Sequence, residues 1–278
     1  MDNPTILLGL TRYNNKPKGV ILHWKDNNGL LIAGQSGSGK SQTASFLLNQ
    51  YAAFGVKLAL CDYDSPDGND ETLSSRVSHL SDAFFLPPVK TSEDIQRTLT
   101  AIDAEYRLRL SNPDRNFPLL LVIDEVSAFL SYLSDNKKRG EDPIKTFAQN
   151  LLQVRKVNIR TMIIGQEWSS GFATTAMRQI RSAFGKKLVH RLDRANVNLV
   201  MGSVEADTQR KISNLKTGQA FYSDRYIAVP MLTDEMKQWA IARMKQYPTY
   251  APITPEPIQT KLYRNETYLH DLGTFNAT

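Results

Sequence analysis

The chain has 278 residues, 41% hydrophobic and 22% charged, with a formal charge of +6; these are ordinary globular proportions, and one enlarged α/β domain is the simplest arrangement. A single cysteine, Cys61, and four scattered histidines exclude a disulfide framework and a metal cluster recognisable by ligand spacing. No apolar run approaches the ~20 residues that cross a bilayer and Met1-Asp2-Asn3-Pro4 lacks a signal pattern, so a cytoplasmic chain with no membrane span is expected.

Thr5 to Leu10 and Lys18 to Trp24 read as two short strands joined by the polar turn Arg12-Tyr13-Asn14-Asn15-Lys16-Pro17, an N-terminal hairpin within residues 1–28. The apolar run Gly29-Leu30-Leu31-Ile32-Ala33 then leads into Gly34-Gln35-Ser36-Gly37-Ser38-Gly39-Lys40-Ser41, and a helical pattern follows from Gln42 to Tyr51. Strand, glycine turn and helix in that order make the setting of a phosphate-binding P-loop. The glycines let successive backbone N–H groups close around phosphate oxygens, and the helix that starts there aims its unpaired N–H groups at the same anion. Lys40 is placed to reach the β- and γ-phosphates, and the Ser41 hydroxyl to bind Mg²⁺. A plain Gly-Ser linker needs neither the buried strand before the turn nor the lysine-serine pair after it.

Val56 to Cys61 reads as a buried strand with Cys61 as a small core residue, and Asp62-Tyr63-Asp64-Ser65-Pro66 begins a loop that continues through Gly68-Asn69-Asp70-Glu71. A short strand at Asp82 to Leu86 is expected to stop at Pro87-Pro88. Thr91 and Asp94 form a capping box, and Ile95, Leu99, Ile102, Tyr106 and Arg109 recur at helical steps, which predicts a helix to about Leu110. Ser111 to Asn116 breaks it. Phe117 to Ile123 is a second apolar strand, and it delivers Asp124-Glu125 at its C-terminal end. Four large aliphatics followed by Asp-Glu, about eighty residues after the P-loop, form a Walker B pattern. Asp124 is expected to hold the Mg²⁺ ion and Glu125 to polarise an attacking water. Both motifs fall at strand C-termini, where ligands sit in open α/β sheets.

Ser134 to Pro143 is a polar loop, Ile144 to Val157 a helix, and Arg160 to Gly165 a strand. Gln166 at that strand's tip is a candidate sensor of a γ-phosphate, or a simple strand cap. Ser169 to Phe172 reads as a loop, and a helix carries Met177, Ile180 and Arg181. Lys186 to Leu192 reads as a fourth parallel strand, and Leu215 to Tyr222 with Arg225 to Val229 as a closing hairpin. Thr233 to Gln246 is an amphipathic helix with Met236, Trp239, Ala240 and Met244 on its buried stripe. Pro248, Pro252, Pro255 and Pro257 then punctuate an extended tail, so the boundary is drawn between a domain at 1–247 and a tail at 248–278. Between Gln153 and Arg225 there are 13 Lys and Arg against 5 Asp and Glu, a net of +8, so the remainder sums to −2. That imbalance is either the footprint of a polyanion or a set of solvated helix faces.

With these segments placed, the chain resembles the FtsK/SpoIIIE branch of the FtsK–HerA superfamily of RecA-like motor ATPases. The resemblance covers about Leu7 to Val229. It rests on Leu8-Gly9, Lys16-Pro17 and Val20-Ile21 in the hairpin, on the P-loop from Leu31 to Ser41, and on Glu105-Tyr106-Arg107. Further on it rests on Arg115-Asn116, Leu121-Val122-Ile123-Asp124-Glu125, Arg155, Gly165-Gln166 and Gly218. It implies an α/β RecA-like P-loop NTPase fold with a central, mostly parallel sheet and helices on both faces. It also implies ATP and Mg²⁺ as cofactors, double-stranded DNA as substrate, and a homo-oligomeric, hexameric ring with membrane or relaxase-type partner proteins. Two loops, around Arg115 and at Lys137-Lys138-Arg139, are implied to line the pore and touch DNA. The family has arginine where this chain has Glu105; Arg107 and Arg109 are the nearby replacements for an arginine that acts on a neighbouring subunit's ATP. Asp62-Tyr63-Asp64 stands where the family has aspartate-proline-lysine. The chain as given shows neither the membrane-spanning part nor the winged-helix domain of division translocases, so a compact motor from a plasmid, mobile element or virus is expected. A related alternative is a ring that acts on protein, as EccC-type secretion ATPases do.

Overall fold

The computed structural model describes residues 3–63, 72–135, 143–166, 168, 178, 181–182 and 184–250. Ten strands form one sheet: β1 (Thr5–Tyr13), β2 (Lys16–His23), β3 (Leu30–Ala33), β4 (Lys57–Asp62), β5 (Phe84–Val89), β6 (Leu119–Asp124), β7 (Ile159–Gly165), β8 (Lys186–Val189), β9 (Gln219–Tyr222) and β10 (Arg225–Ala228). Their spatial order is β2-β1-β10-β9-β8-β3-β7-β6-β4-β5. From β8 to β5 neighbouring strands are parallel, and from β8 to β2 they are antiparallel.

The strands β3, β4 and β6 are buried along almost their whole length, as expected of parallel strands covered on both faces. Alternate residues feed two cores. Leu31, Ala59, Leu121 and Ile163 face one, which is closed by α3 (Ser92–Ser111), α4 (Val126–Asp135), α5 (Pro143–Gln153), α6 (Arg194–Met201) and α7 (Ala206–Ser213). Leu30, Leu58, Leu120 and Met162 face the other, which is closed by α1 (Lys40–Ala53) and α8 (Asp234–Met244). A short helix, α2 (Leu73–Arg76), is capped by Thr72. Helices therefore lie on both faces of a mostly parallel sheet.

The hairpin is longer than its turn residues suggested. Asn14 and Asn15 alone make the loop, both with positive φ (49° and 59°), the geometry of a two-residue hairpin loop. Pro17 thus lies inside β2, which is tolerated because β2 is the sheet's edge. The hairpin does not lie beside the P-loop strand: it joins the sheet through β10, which puts β1 four places from β3. The register of β1 slips between Leu7 and Gly9, and the backbone of Leu7 is paired instead by the side chain of Gln50 on α1. Leu7 N–H donates to Gln50 Oε1 at 2.8 Å, and Gln50 Nε2 donates to Leu7 O at 3.0 Å.

Three further expectations are corrected. β5 runs through Pro87 and Pro88 to Val89, because the strand is the opposite edge of the sheet and has no outer partner for the missing N–H groups to serve. The strand opened by Lys186 is the sixth parallel strand and stops at Val189. On α8 Ala240 and Met244 are buried but Trp239 is 41% exposed, packing edge-on against Phe54. Tyr247 packs against Gly55, and Tyr250 stacks on Phe117 with centroids 3.9 Å apart, so the chain still touches the domain six residues after α8. The expected helix residues Met177 and Ile180, the loop at 169–172 and the tail beyond Tyr250 lie outside the described residues.

Candidate nucleotide site

The P-loop follows β3 and ends at Gly39, the N-cap of α1, with φ +105°. Side chains here are excluded by both strain and space. A Cβ on Gly34 would sit 2.5 Å from Ser38 Oγ and 2.7 Å from His190 Cβ, whereas Gly37 (φ +69°) faces open space. Ser38 Oγ is buried without a hydrogen-bond partner among the described residues. Lys40 is 8% exposed, and its Nζ donates to Gln35 O at 3.2 Å. Burial lowers its pKa, opposed by the nearby carboxylates of Glu125 and Asp124. A cradle of backbone with a buried lysine folded into it fits a polyphosphate.

Strand β7 separates β3 from β6, so the P-loop and Asp124-Glu125 end two strands apart, about 10 Å, with Gln166 between them. Gly165 pairs with Ala33, and Gly34 N–H donates to Gly165 O at 3.3 Å, which places Gln166, half-buried, beside the start of the P-loop. The structure thus brings Gly34 to Gln42, Asp124, Glu125 and Gln166 to one edge of the sheet.

Asp124 pairs with Asp62 at the end of β4. Burial first, then the charges of Asp62 and Glu125, push the Asp124 carboxyl up to about 7 from an ordinary 3.8, against the Glu125 N–H and Lys40. This is a crowded anionic corner that a divalent cation would relieve. Among the described residues no three carboxylate or histidine side chains form a cage; Mg²⁺ does not need one, since it keeps waters and phosphate oxygens among its ligands. Ser41 and Asp124 fit that role. Glu125 has the left-handed backbone (φ 51°), a conformation in which a non-glycine residue stores strain. Its Oε1 accepts a hydrogen bond from Ser127 Oγ at 2.6 Å, and its own N–H donates to Asp124 Oδ1 at 3.0 Å.

Because the folded-state pKa of Asp124 is raised, the group weakens the nucleotide-free protein above pH 3.8, fully so above pH 7. Asp124→Asn is expected to raise the stability of the nucleotide-free protein at pH 8 by about 2 kcal/mol, a figure reduced for the half-buried side chain, with no gain near pH 4. Urea titrations at the two pH values check it.

Several residues at the site carry no motif. His190 is fully buried; its backbone N–H donates to Ala33 O at 2.8 Å. Its Nδ1 lies 2.9 Å from Gln219 O and its Nε2 3.0 Å from Thr43 Oγ1. The carbonyl requires the proton on Nδ1, which leaves Nε2 to accept from Thr43. Burial holds the ring neutral, with a pKa lowered to about 4. Thr217 Oγ1 donates to Gly37 O at 3.0 Å, and Gly218 N–H donates to Ser38 O at 3.2 Å. The turn before β9 therefore holds the outer side of the P-loop. Thr217→Val is expected to weaken nucleotide binding about fivefold, the worth of one hydrogen bond, with unchanged thermal stability; calorimetric titration with ATP checks it.

No protein-family model and no curated protein sequence matches the chain. Solved structures match its fold. EssC (ATPases 2 and 3) from Geobacillus thermodenitrificans superposes with a TM-score of 0.65 at 14% identity, covering 92% of this chain and 52% of that one. EccC (ATPases 2 and 3) from Thermomonospora curvata, in complex with a signal sequence peptide, gives 0.59 at 16%, with 92% and 50% covered. The pCW3 conjugation coupling protein TcpA, a monomer with ATPγS, gives 0.60 at 15%, with 88% and 71% covered. The fold is the one shared by these ATPase domains. The chain spans about half the length of the EssC and EccC chains it matches.

Within this fold two expected roles fail on position and contact. Arg109 is 3% exposed and cannot project into a neighbour: its Nε donates to Glu105 Oε1 at 2.7 Å, and its Nη1 to the carbonyls of Phe117 and Val157 at 2.7 and 2.9 Å. Arg115 does not stand free for DNA; it grips the same fully buried carboxylate at 2.9 to 3.1 Å. The cluster lies where β6 and β7 begin, at the far edge of the sheet from Asp124. Burial of Glu105 also changes the α3 stripe, on which Leu99 and Tyr106 are only partly buried. Arg107 is exposed and pairs with Asp103 at 2.9 Å. Lys137, Lys138 and Arg139 lie outside the described residues, and among those described no helix is long and apolar enough to cross a membrane.

Proposed function

We propose that the protein belongs to the FtsK–HerA superfamily and is a Mg²⁺-dependent ATPase that works as a hexameric ring and moves double-stranded DNA through its centre. The observation that supports this best is the convergence of the P-loop, Gln166 and Asp124-Glu125 on adjacent strand ends, in a fold shared over 88% of the chain with a conjugation coupling protein. In this reading the P-loop amides and Lys40 bind the phosphates, Glu125 orients and polarises the attacking water, and Gln166 senses the γ-phosphate. Ser41 and Asp124 hold Mg²⁺, which supplies charge neutralisation to the phosphates when bound. ATP lies at a subunit interface and a neighbour's arginine completes the charge stabilisation; Arg107 is the remaining candidate. Lys137, Lys138 and Arg139 line the pore. Residues 1–247 form the motor and 248–278 a tail, and membrane or relaxase-type proteins are its partners.

The test is the ATPase rate with and without duplex DNA, measured alongside mass in solution. DNA-stimulated turnover by a species of six times the chain mass is expected. Turnover indifferent to DNA removes the translocase reading. A second reading, a ring acting on protein, is supported by the match to EccC, whose structure holds a signal sequence peptide. It predicts stimulation by a polypeptide and not by DNA.

A further inference from the structure

Five of the thirteen cations behind the +8 imbalance gather at one edge of the sheet. Arg155 and Lys156 sit on the 3₁₀ turn before β7, Arg160 lies near the start of β7, and Lys186 and Lys187 open β8. All five mark the edge where the parallel strands begin, opposite the P-loop. Lys186 and Met162 both pair with Leu30, and Arg160 lies two residues before Met162 on the same face. Two strand spacings and one pleat repeat put Arg160 and Lys186 about 12 Å apart. Arg160 Nη1 donates to Arg155 O at 2.8 Å, which closes the other end of the row. Lys187, in register with Leu31, turns to the other face of the same edge, where Arg181 lies near it.

On several surface helices, by contrast, cations are paired within the helix: Arg97 with Asp94, Arg107 with Asp103, Arg210 and Lys211 with Asp207, Lys237 with Asp234. Among the described residues none of Arg155, Lys156, Arg160, Lys186 and Lys187 is in a salt bridge. Instead they face like charges: after burial, Arg155 lowers the pKa of Arg160, and Arg181 that of Lys187. An unneutralised row of this kind suits a partner with regularly spaced negative charge.

We propose that this edge, formed by Arg155, Lys156, Arg160, Lys186 and Lys187, is a contact surface for the phosphate backbone of duplex DNA, separate from the pore loops; the proposal rests on the DNA reading above. It replaces the contact that Glu105 takes from Arg115. The placement also couples the two ends of the site: β3, β7 and β8 carry the DNA edge at one end and Gly34, Gln166 and His190 at the other.

The test combines Arg155→Ala, Lys156→Ala, Lys186→Ala and Lys187→Ala and measures duplex binding against salt. Affinity is expected to fall at least tenfold near 0.1 M salt, and the slope of log K against log salt to flatten by about 3. Basal ATPase stays unchanged, which reports an intact fold. Because Lys186 and Lys187 are half-buried, the exposed pair Arg155→Glu with Lys156→Glu serves as a second variant, with an expected loss of about fivefold or more. If the wild type binds duplex and both variants bind as well with the same slope, the proposal falls and the DNA reading stands. A wild type that binds no duplex at low salt overturns both. Binding of polyglutamate at this edge with no binding of duplex assigns it to an acidic protein and also overturns the proposal.

Discussion

A Glu125→Gln protein is expected to bind ATP as the wild type does and to hydrolyse it at least ~100-fold more slowly, the range lost when a general base is removed. The substitution keeps the size of the side chain and an oxygen for the Ser127 hydroxyl, which now sits 2.6 Å from Oε1. What it removes is the charge. Glu125 leaves β6 with φ 51° and so turns its carboxylate away from the strand direction, while Asp124, one residue earlier, stays in register with Asp62. Two adjacent acids thereby face different tasks. Nucleotide titration and single-turnover hydrolysis separate the outcomes: unchanged turnover removes Glu125 as the base, and lost binding means the residue shapes the pocket instead.

Glu105→Ala is expected to cost on the order of 3–5 kcal/mol, the price of leaving a buried charge without its partner. Arg109, with a side chain 2% exposed, would remain beneath Phe117, its guanidinium 4.1 Å from the ring centroid. Against a total stability of about 5–15 kcal/mol, that loss brings the chain near unfolding, and Tm should drop by roughly 10 °C or more. Adding Arg109→Met to Glu105→Ala removes the orphaned cation and should recover much of the loss. Urea denaturation of the three proteins checks it; equal stability of the wild type and Glu105→Ala would show that the Phe117 and Val157 carbonyls and the Phe117 ring already carry the Arg109 charge.

How legible the molecule is in its sequence depends on the range of the interaction. The run Leu119 to Ile123 announces a strand covered on both faces, and glycines at 34, 37 and 39 announce the loop, because each signal is local. Thr91 and Asp94 give the start of α3 correctly; Thr91 Oγ1 accepts from Asp94 N–H at 3.2 Å. Arg109 is different. Its helical spacing marks the buried stripe, yet the spacing cannot show that its charge is consumed by Glu105. His190 and Thr217 are less legible still, since they meet Thr43 and Gly37 across 147 and 180 residues. Pro87 and Pro88 mislead for the opposite reason: the local rule holds, but only the sheet order shows that β5 is an edge. The residues of the corner, Lys40, Asp124, Glu125 and Gln166, are found by motif; what seats them is found only by contact.

The amide of Gln50, spent on both backbone groups of Leu7, gives the hairpin a mechanical meaning. The helix that begins at the phosphate loop is bolted, near its other end, to the outermost pair of strands. Any displacement of that helix is therefore shared with the outer margin of the sheet, like a lever pinned at both ends. Trimming the first strand therefore leaves a side chain 6% exposed with two broken bonds and uncouples that lever, so a deletion here perturbs the helix of the phosphate loop and is not a neutral change of length.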